Sequence, residues 1–149
     1  MRKPVEIHGK KDHIPAIMAE SGVPFRKMNG LGNDFVVLDL RTHALNLNES
    51  LARAIANREP GIGCDQFITI EKARHGGDVF MGIRNPDGGI VEACGNATRC
   101  IGQILLDETG KDAVTIETLG GDLVASASAD ALITVDMGEP RLKWNEIPL

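Results

Sequence analysis

Apolar positions along the chain fall into short blocks separated by glycine-rich turns. "FVVLDL" (35–40), "DQFITI" (65–70) and "DVFMGIR" (78–84) read as β-strands, the last two divided by the turn signal "HGG". "NPDGG" (85–89) reads as a turn. "AVTIET" (113–118), "LVASAS" (123–128) and "LITVDM" (132–137) follow as strands at hairpin spacing, divided by "GGD" and "ADA". Two segments carry helical periodicity instead. In "NESLARAIANREP" (48–60) Asn48 is placed to cap, Leu51, Ala54 and Ile55 share a face, and Pro60 is placed to end the helix. In "NATRCIGQILLDETG" (96–110) Asn96 is the expected N-cap and Gly110 the stop. Its apolar residues, Ala97, Cys100, Ile101, Ile104, Leu105 and Leu106, cover most of the circumference, the mark of a buried helix. The pattern predicts an α+β domain of short antiparallel strands around a central helix.

Length and composition narrow the class. The 149 residues are 42% hydrophobic, enough for one domain with its own core. With four Phe, one Trp and no Tyr, that core is aliphatic and base-stacking platforms are not expected. A net charge of -5 without a basic run argues against nucleic acid and anionic membrane surfaces as partners. No apolar run approaches the ~18 residues of a membrane helix. Three cysteines cannot close a disulfide framework, which points to a reducing, cytoplasmic setting. Residues 1–24 are polar and proline-bearing and read as a disordered extension, with the domain proper at 25–138.

Several motifs carry no chemistry. "GLGNDF" and "GIGCDQ" each lack a glycine of the dinucleotide fingerprint. His8, His13, His43 and His75 are scattered, and no metal site is expected. Cys94 and Cys100, six apart, would lie ~240° around a helix and ~9 Å along it. They can neither pair with each other nor share a metal.

What remains is Cys94, just before the buried helix. The first N–H groups of a helix have no helical partner and its dipole is positive there, so the position favours a thiolate or a bound carboxylate. Gly95 would let a ligand approach the backbone. Arg99, in the first turn, runs against the dipole preference and reads as solvent-facing. A lone cysteine in such a place is as a rule a small buried hydrophobe, so residue type alone leaves its role open. Three amides stand beside turns at strand ends: Asn33 in "GLGND", Gln66 in "GCDQ" and Asn85 in "RNPDG". They offer donors and acceptors suited to a polar amino acid.

"KMNGLGNDFVVLD" (27–39), "GIGCDQFITI" (61–70) and "NPDGGIVEACGNATRC" (85–100) together resemble the N-terminal half of diaminopimelate epimerase. The likeness runs from about Phe25 to the end of the chain. It implies one of two similar domains, each an antiparallel β-barrel-like shell around a central helix, with the substrate between them. It implies interconversion of LL- and meso-2,6-diaminopimelate, on the lysine and peptidoglycan pathway, without pyridoxal phosphate, other cofactor or metal. Cys94 would be one of two catalytic thiols, Gly95 and Asn96 would hold the α-carboxylate, and Asn33, Gln66 and Asn85 would line the substrate pocket. Cys64 stands where many members carry Phe and reads as a packing substitution. The second thiol would belong to a C-terminal domain for which 139–149 begins the linker, so this chain alone is expected to be inactive. A homodimer would supply two Cys94 thiols, and Cys64 is a remote alternative. A non-catalytic amino-acid-binding module and an epimerase of another amino acid remain as other readings.

Overall fold

A computed structural model describes residues 23–128 and 132–138. The segments 1–24 and 139–149, expected to be extension and linker, lie outside the described residues but for Val23 and Pro24. Val23 is already buried in the core, inside the segment expected to be an extension.

Among the described residues eight strands form one sheet: β1 (Phe25–Gly30), β2 (Asn33–Asp39), β3 (Gln66–Lys72), β4 (Val79–Arg84), β5 (Ile90–Val91), β6 (Ala113–Thr118), β7 (Gly121–Ala127) and β8 (Ile133–Asp136). Their order is β1-β2-β3-β4-β6-β7-β8, with β5 beside β4. The expected shell around a helix is present, but the sheet is mixed. β2 and β3 pair in parallel, as do β4 and β6. Each parallel pair needs a crossover. The first contains α1 (Glu49–Ala56) and the second α2 (Gly95–Thr109). β1 was not expected as a strand. It is an edge strand bearing Arg26 and Lys27, joined to β2 by a two-residue turn in which Leu31 and Gly32 both have positive φ, 51° and 95°.

Alternation along the strands builds two cores on opposite faces. Phe35, Val37, Ile68, Ile70, Met81 and Ile83 pack with α2. Val36, Leu38 and Phe67 pack with α1 and Cys64. α1 starts as expected: Asn48 Oδ1 accepts from Leu51 N at 2.9 Å. It stops at Ala56, before Pro60, and buries Ala52 where Ala54 was expected; Ala54 faces solvent. α2 touches β1, β6, β7 and β8, so the sheet curves around it as a half-barrel. It ends at Gly110, whose φ of 68° is the left-handed cap that glycine supplies. Among the described residues no helix is long and apolar enough to cross a membrane.

Glu117 on β6 is 1% exposed and organises the β3–β4 connection. It accepts from the backbone N–H groups of Arg74, His75 and Gly77 at 2.6, 2.8 and 2.7 Å. Burial opposes its ionisation, but the three N–H donors outweigh that and hold its pKa below the ordinary 4.5. Its stabilising effect is therefore present above pH 4.5 and lost as the pH falls through the depressed folded value. Glu117→Gln keeps the shape but turns an N–H2 toward these donors. Urea titrations from pH 3 to 7 are expected to show a lower midpoint for the variant near neutrality and a gap that narrows in acid.

Candidate functional site

Three strand ends meet at one rim of the sheet. β2 and β3 start there, and β4 ends there, one residue short of Asn85. In the parallel register Phe35 lies beside Gln66, and Phe67 lies opposite Arg84. Phe35 and Ile83 face α2, so alternation puts Asn33, Gln66 and Asn85 on that same face. Gln66 Nε2 donates to Asn85 Oδ1 at 3.3 Å.

The edge of β4 is shared. Val79 and Phe80 pair with β6, whereas Ile83 and Arg84 pair with β5. β5 then delivers the chain to α2. The β6–β7 turn steadies this approach, with Gly120 N donating to Glu92 O at 3.0 Å. Cys94 itself is the N-cap of α2, where Asn96 was expected. Its carbonyl accepts from Thr98 N at 2.9 Å and from Thr98 Oγ1 at 2.8 Å. The N–H groups of Gly95, Asn96 and Ala97 therefore have no carbonyl partner within the helix. Met137, after β8, bounds the space beside Gly95: a Cβ there would lie 3.3 Å from its Sδ.

Asn96 is released from capping and turns its side chain to the rim. Its Nδ2 donates to Asn33 Oδ1 at 2.9 Å, and its Oδ1 accepts from Arg99 Nη1 at 2.7 Å. Arg99 is thus half-buried and bound to a rim amide, where a solvent-facing side chain was expected. The six expected residues form three groups along this rim: Cys94–Gly95–Asn96 on the helix end, Asn33 joined to Asn96, and Gln66 joined to Asn85.

The other face of the same strand ends is ionic, and sequence reasoning missed it. Asp34 accepts from both Arg58 Nη groups at 2.8 and 3.0 Å and from Lys27 Nζ at 2.7 Å. Asp65 accepts from Arg58 Nη2 at 2.8 Å and from Asp34 N at 3.0 Å. The Arg58 guanidinium, with Lys27 behind it, holds the Asp34 carboxyl far below the usual carboxylate range. The signal was legible in "ND" and "DQ", where each site amide adjoins an aspartate.

The three thiols differ. Cys64 is 2% exposed on the α1 face, and burial pushes it up to about 11. It packs on the face of the sheet opposite to Cys94. Cys100 is buried under β1, and burial, together with the neighbouring Cys94 sulfur, also pushes it up to about 11. Cys94 alone is partly open to solvent. A cavity of about 290 Å³ lies elsewhere, between Phe67, Phe80 and Leu119, and no expected site residue lines it.

The diaminopimelate epimerase family model matches residues 25–143. The chain is 52% identical over 131 residues to the diaminopimelate epimerase of Phenylobacterium zucineum, covering 88% of this chain and 47% of the relative. It is 53% identical over 126 residues to that of Rhodospirillum centenum, covering 84% and 43%. The chain thus spans about half the length of the curated relatives it matches. Among solved structures it resembles a methylitaconate-delta-isomerase, with a TM-score of 0.55, 17% identity and coverage of 80% and 65%. It also resembles a phenazine biosynthesis protein of the PhzF family from Enterococcus faecalis, with a TM-score of 0.54, 16% identity and coverage of 72% and 41%. At these identities the two structures speak to the fold alone.

The exposure difference sets an order of reactivity. Brief iodoacetamide treatment of the native chain at pH 7.5, read by peptide mass spectrometry, is expected to label Cys94 at least tenfold faster than Cys64 or Cys100. Equal labelling of all three would contradict the burial described.

Proposed function

The chain belongs to the diaminopimelate epimerase family, and from that premise we propose that it carries one half of a two-thiol active site for 2,6-diaminopimelate. The observation that carries this reading is the seat of Cys94. It is the one partly open thiol, and it caps the buried helix α2 beside free backbone N–H groups and a row of amides.

Inverting an α-carbon requires a base on one face and an acid on the other. Cys94, as thiolate, takes the α-proton and becomes a thiol. A second thiol on the opposite face gives up its proton to the carbon and becomes the thiolate. Gly95 and Asn96 receive the α-carboxylate at the helix end, where N–H groups and the dipole favour an anion. Fixed donors close to the reacting carbon stabilise the carbanion-like transition state. Asn33, Gln66 and Asn85 line the pocket. The second thiol comes from the other domain of the fold, since Cys64 and Cys100 are both buried. Three free thiols suit work in a reducing cytosol.

The test is α-proton exchange of LL-2,6-diaminopimelate in D2O, followed by proton NMR. The reduced chain is mixed with the C-terminal half of a full-length relative. Exchange with inversion is expected, and Cys94→Ser should slow it by about 10² or more. Inversion by the chain alone would instead indicate a homodimer. Binding without exchange in any mixture would favour an amino-acid-binding module.

A further inference from the structure

The two rim asparagines sit within one run of hydrogen bonds whose ends differ in kind. Arg99 Nη1 donates to Asn96 Oδ1 at 2.7 Å, and Asn96 Nδ2 donates to Asn33 Oδ1 at 2.9 Å. Asn33 Nδ2 then reaches Asp65 Oδ2 at 3.5 Å, the longest link. Asp65 is anchored from behind by Arg58 Nη2 and by the N–H of Asp34. A guanidinium only donates, and an ionised carboxylate only accepts. Turning Asn96 over would set N–H2 against the guanidinium. Turning Asn33 over would set its oxygen against a carboxylate oxygen and its N–H2 against that of Asn96. Each amide can therefore take only one of its two orientations.

We propose that Arg99 and Asp65 are positioning residues of this site, which act through Asn96 and Asn33 by dictating which atom each amide turns toward the ligand. In the dictated sense each amide keeps one N–H free beyond the run, beside the unpartnered N–H groups of the α2 end. The rim then offers an array of donors, which selects a carboxylate over an ammonium group at this point of the cleft. The assignment rests on the diaminopimelate reading for its ligand but not for its geometry. It gives Arg99 a purpose in a helix turn where its charge opposes the dipole.

The experiment is carried out on the whole 149-residue chain, labelled with 15N, in the variants Arg99→Met, Arg99→Lys, Asp65→Asn and Asp65→Glu. Backbone amide spectra identify the folded variants, and the conservative pair keeps a donor or acceptor at each end should the other pair fail to fold. Arg99→Met is expected to shift the side-chain N–H2 signals of Asn33, which Arg99 does not touch. Asp65→Asn is expected to shift those of Asn96, which Asp65 does not touch. Arg99→Lys and Asp65→Glu should leave both near their wild-type places. Shifts confined to the direct neighbour would overturn the proposal. Titration with LL-2,6-diaminopimelate gives the second readout, where about tenfold weaker binding is expected for Arg99→Met and Asp65→Asn. Unchanged affinity in variants whose amides have moved would also overturn it. If the wild-type chain binds no diaminopimelate even with the C-terminal half of a full-length relative present, that reading of the ligand fails, and the remote amide shifts still decide the positioning roles.

Discussion

The structure depends on how deeply α2 lies in the curve of the sheet. Two glycines mark the closest approaches. A Cβ on Gly102 would stand 2.5 Å from Ala125 Cβ on β7. A Cβ on Gly30 at the end of β1 would stand 2.9 Å from Asn96 O and 3.1 Å from Cys100 Sγ. Real Cβ atoms do not come so close, so the contact is possible only with hydrogen at both positions. The helix is thereby held at mid-length by β7 and at its first turn by β1. Its far end is tied by Glu108 to Arg41 at 2.9 Å. A helix gripped at three places cannot slide, and the position of its N-cap follows.

That seat explains why the rim has two chemistries. The starts of β2 and β3 each present an amide to the α2 face beside a carboxylate on the ionic side: Asn33 beside Asp34, and Gln66 beside Asp65. β2 and β3 run parallel, so no hairpin fixes their relative height at this end. Arg58 clamps the two aspartates together, Lys27 holds Asp34, and Asp34 Oδ1 also accepts from Asp65 N at 2.9 Å. Ion pairs this exposed contribute little to global stability. Their effect is local: they hold two strand ends level, and with them the amides that reach Asn96 and Asn85.

Most of the elements were legible in the sequence because their signals are local. Alternation located β2 to β4 and β6 to β8, an Asn cap located α1, and all-round apolarity marked α2 as buried. What escaped were consequences of contacts distant in sequence. β1 carries Arg26 and Lys27 because it is an edge, so its pattern looks like a loop. The two parallel pairings come from crossovers, and strand patterns do not encode direction. Asn96 looked like a cap because its type favours capping, yet Asn33, 63 residues away, draws its side chain elsewhere. Cys94 takes the cap without a side-chain bond to the helix, which leaves its sulfur uncommitted. The rim amides were singled out from their turn settings and their likeness to a family. Arg99 and the ionic brace needed the packed structure.

The central claim, that the close seat of α2 positions the site, meets its sharpest test in the unfolding free energy of Gly102→Ala. Helix propensity alone predicts a gain of up to about 1 kcal/mol, since alanine favours helix over glycine. The close seat predicts the opposite sign, a loss of about 1–3 kcal/mol as the new methyl forces α2 away from Ala125. A measured loss by urea denaturation would support the account. A gain would mean that α2 has room to spare, and would contradict it.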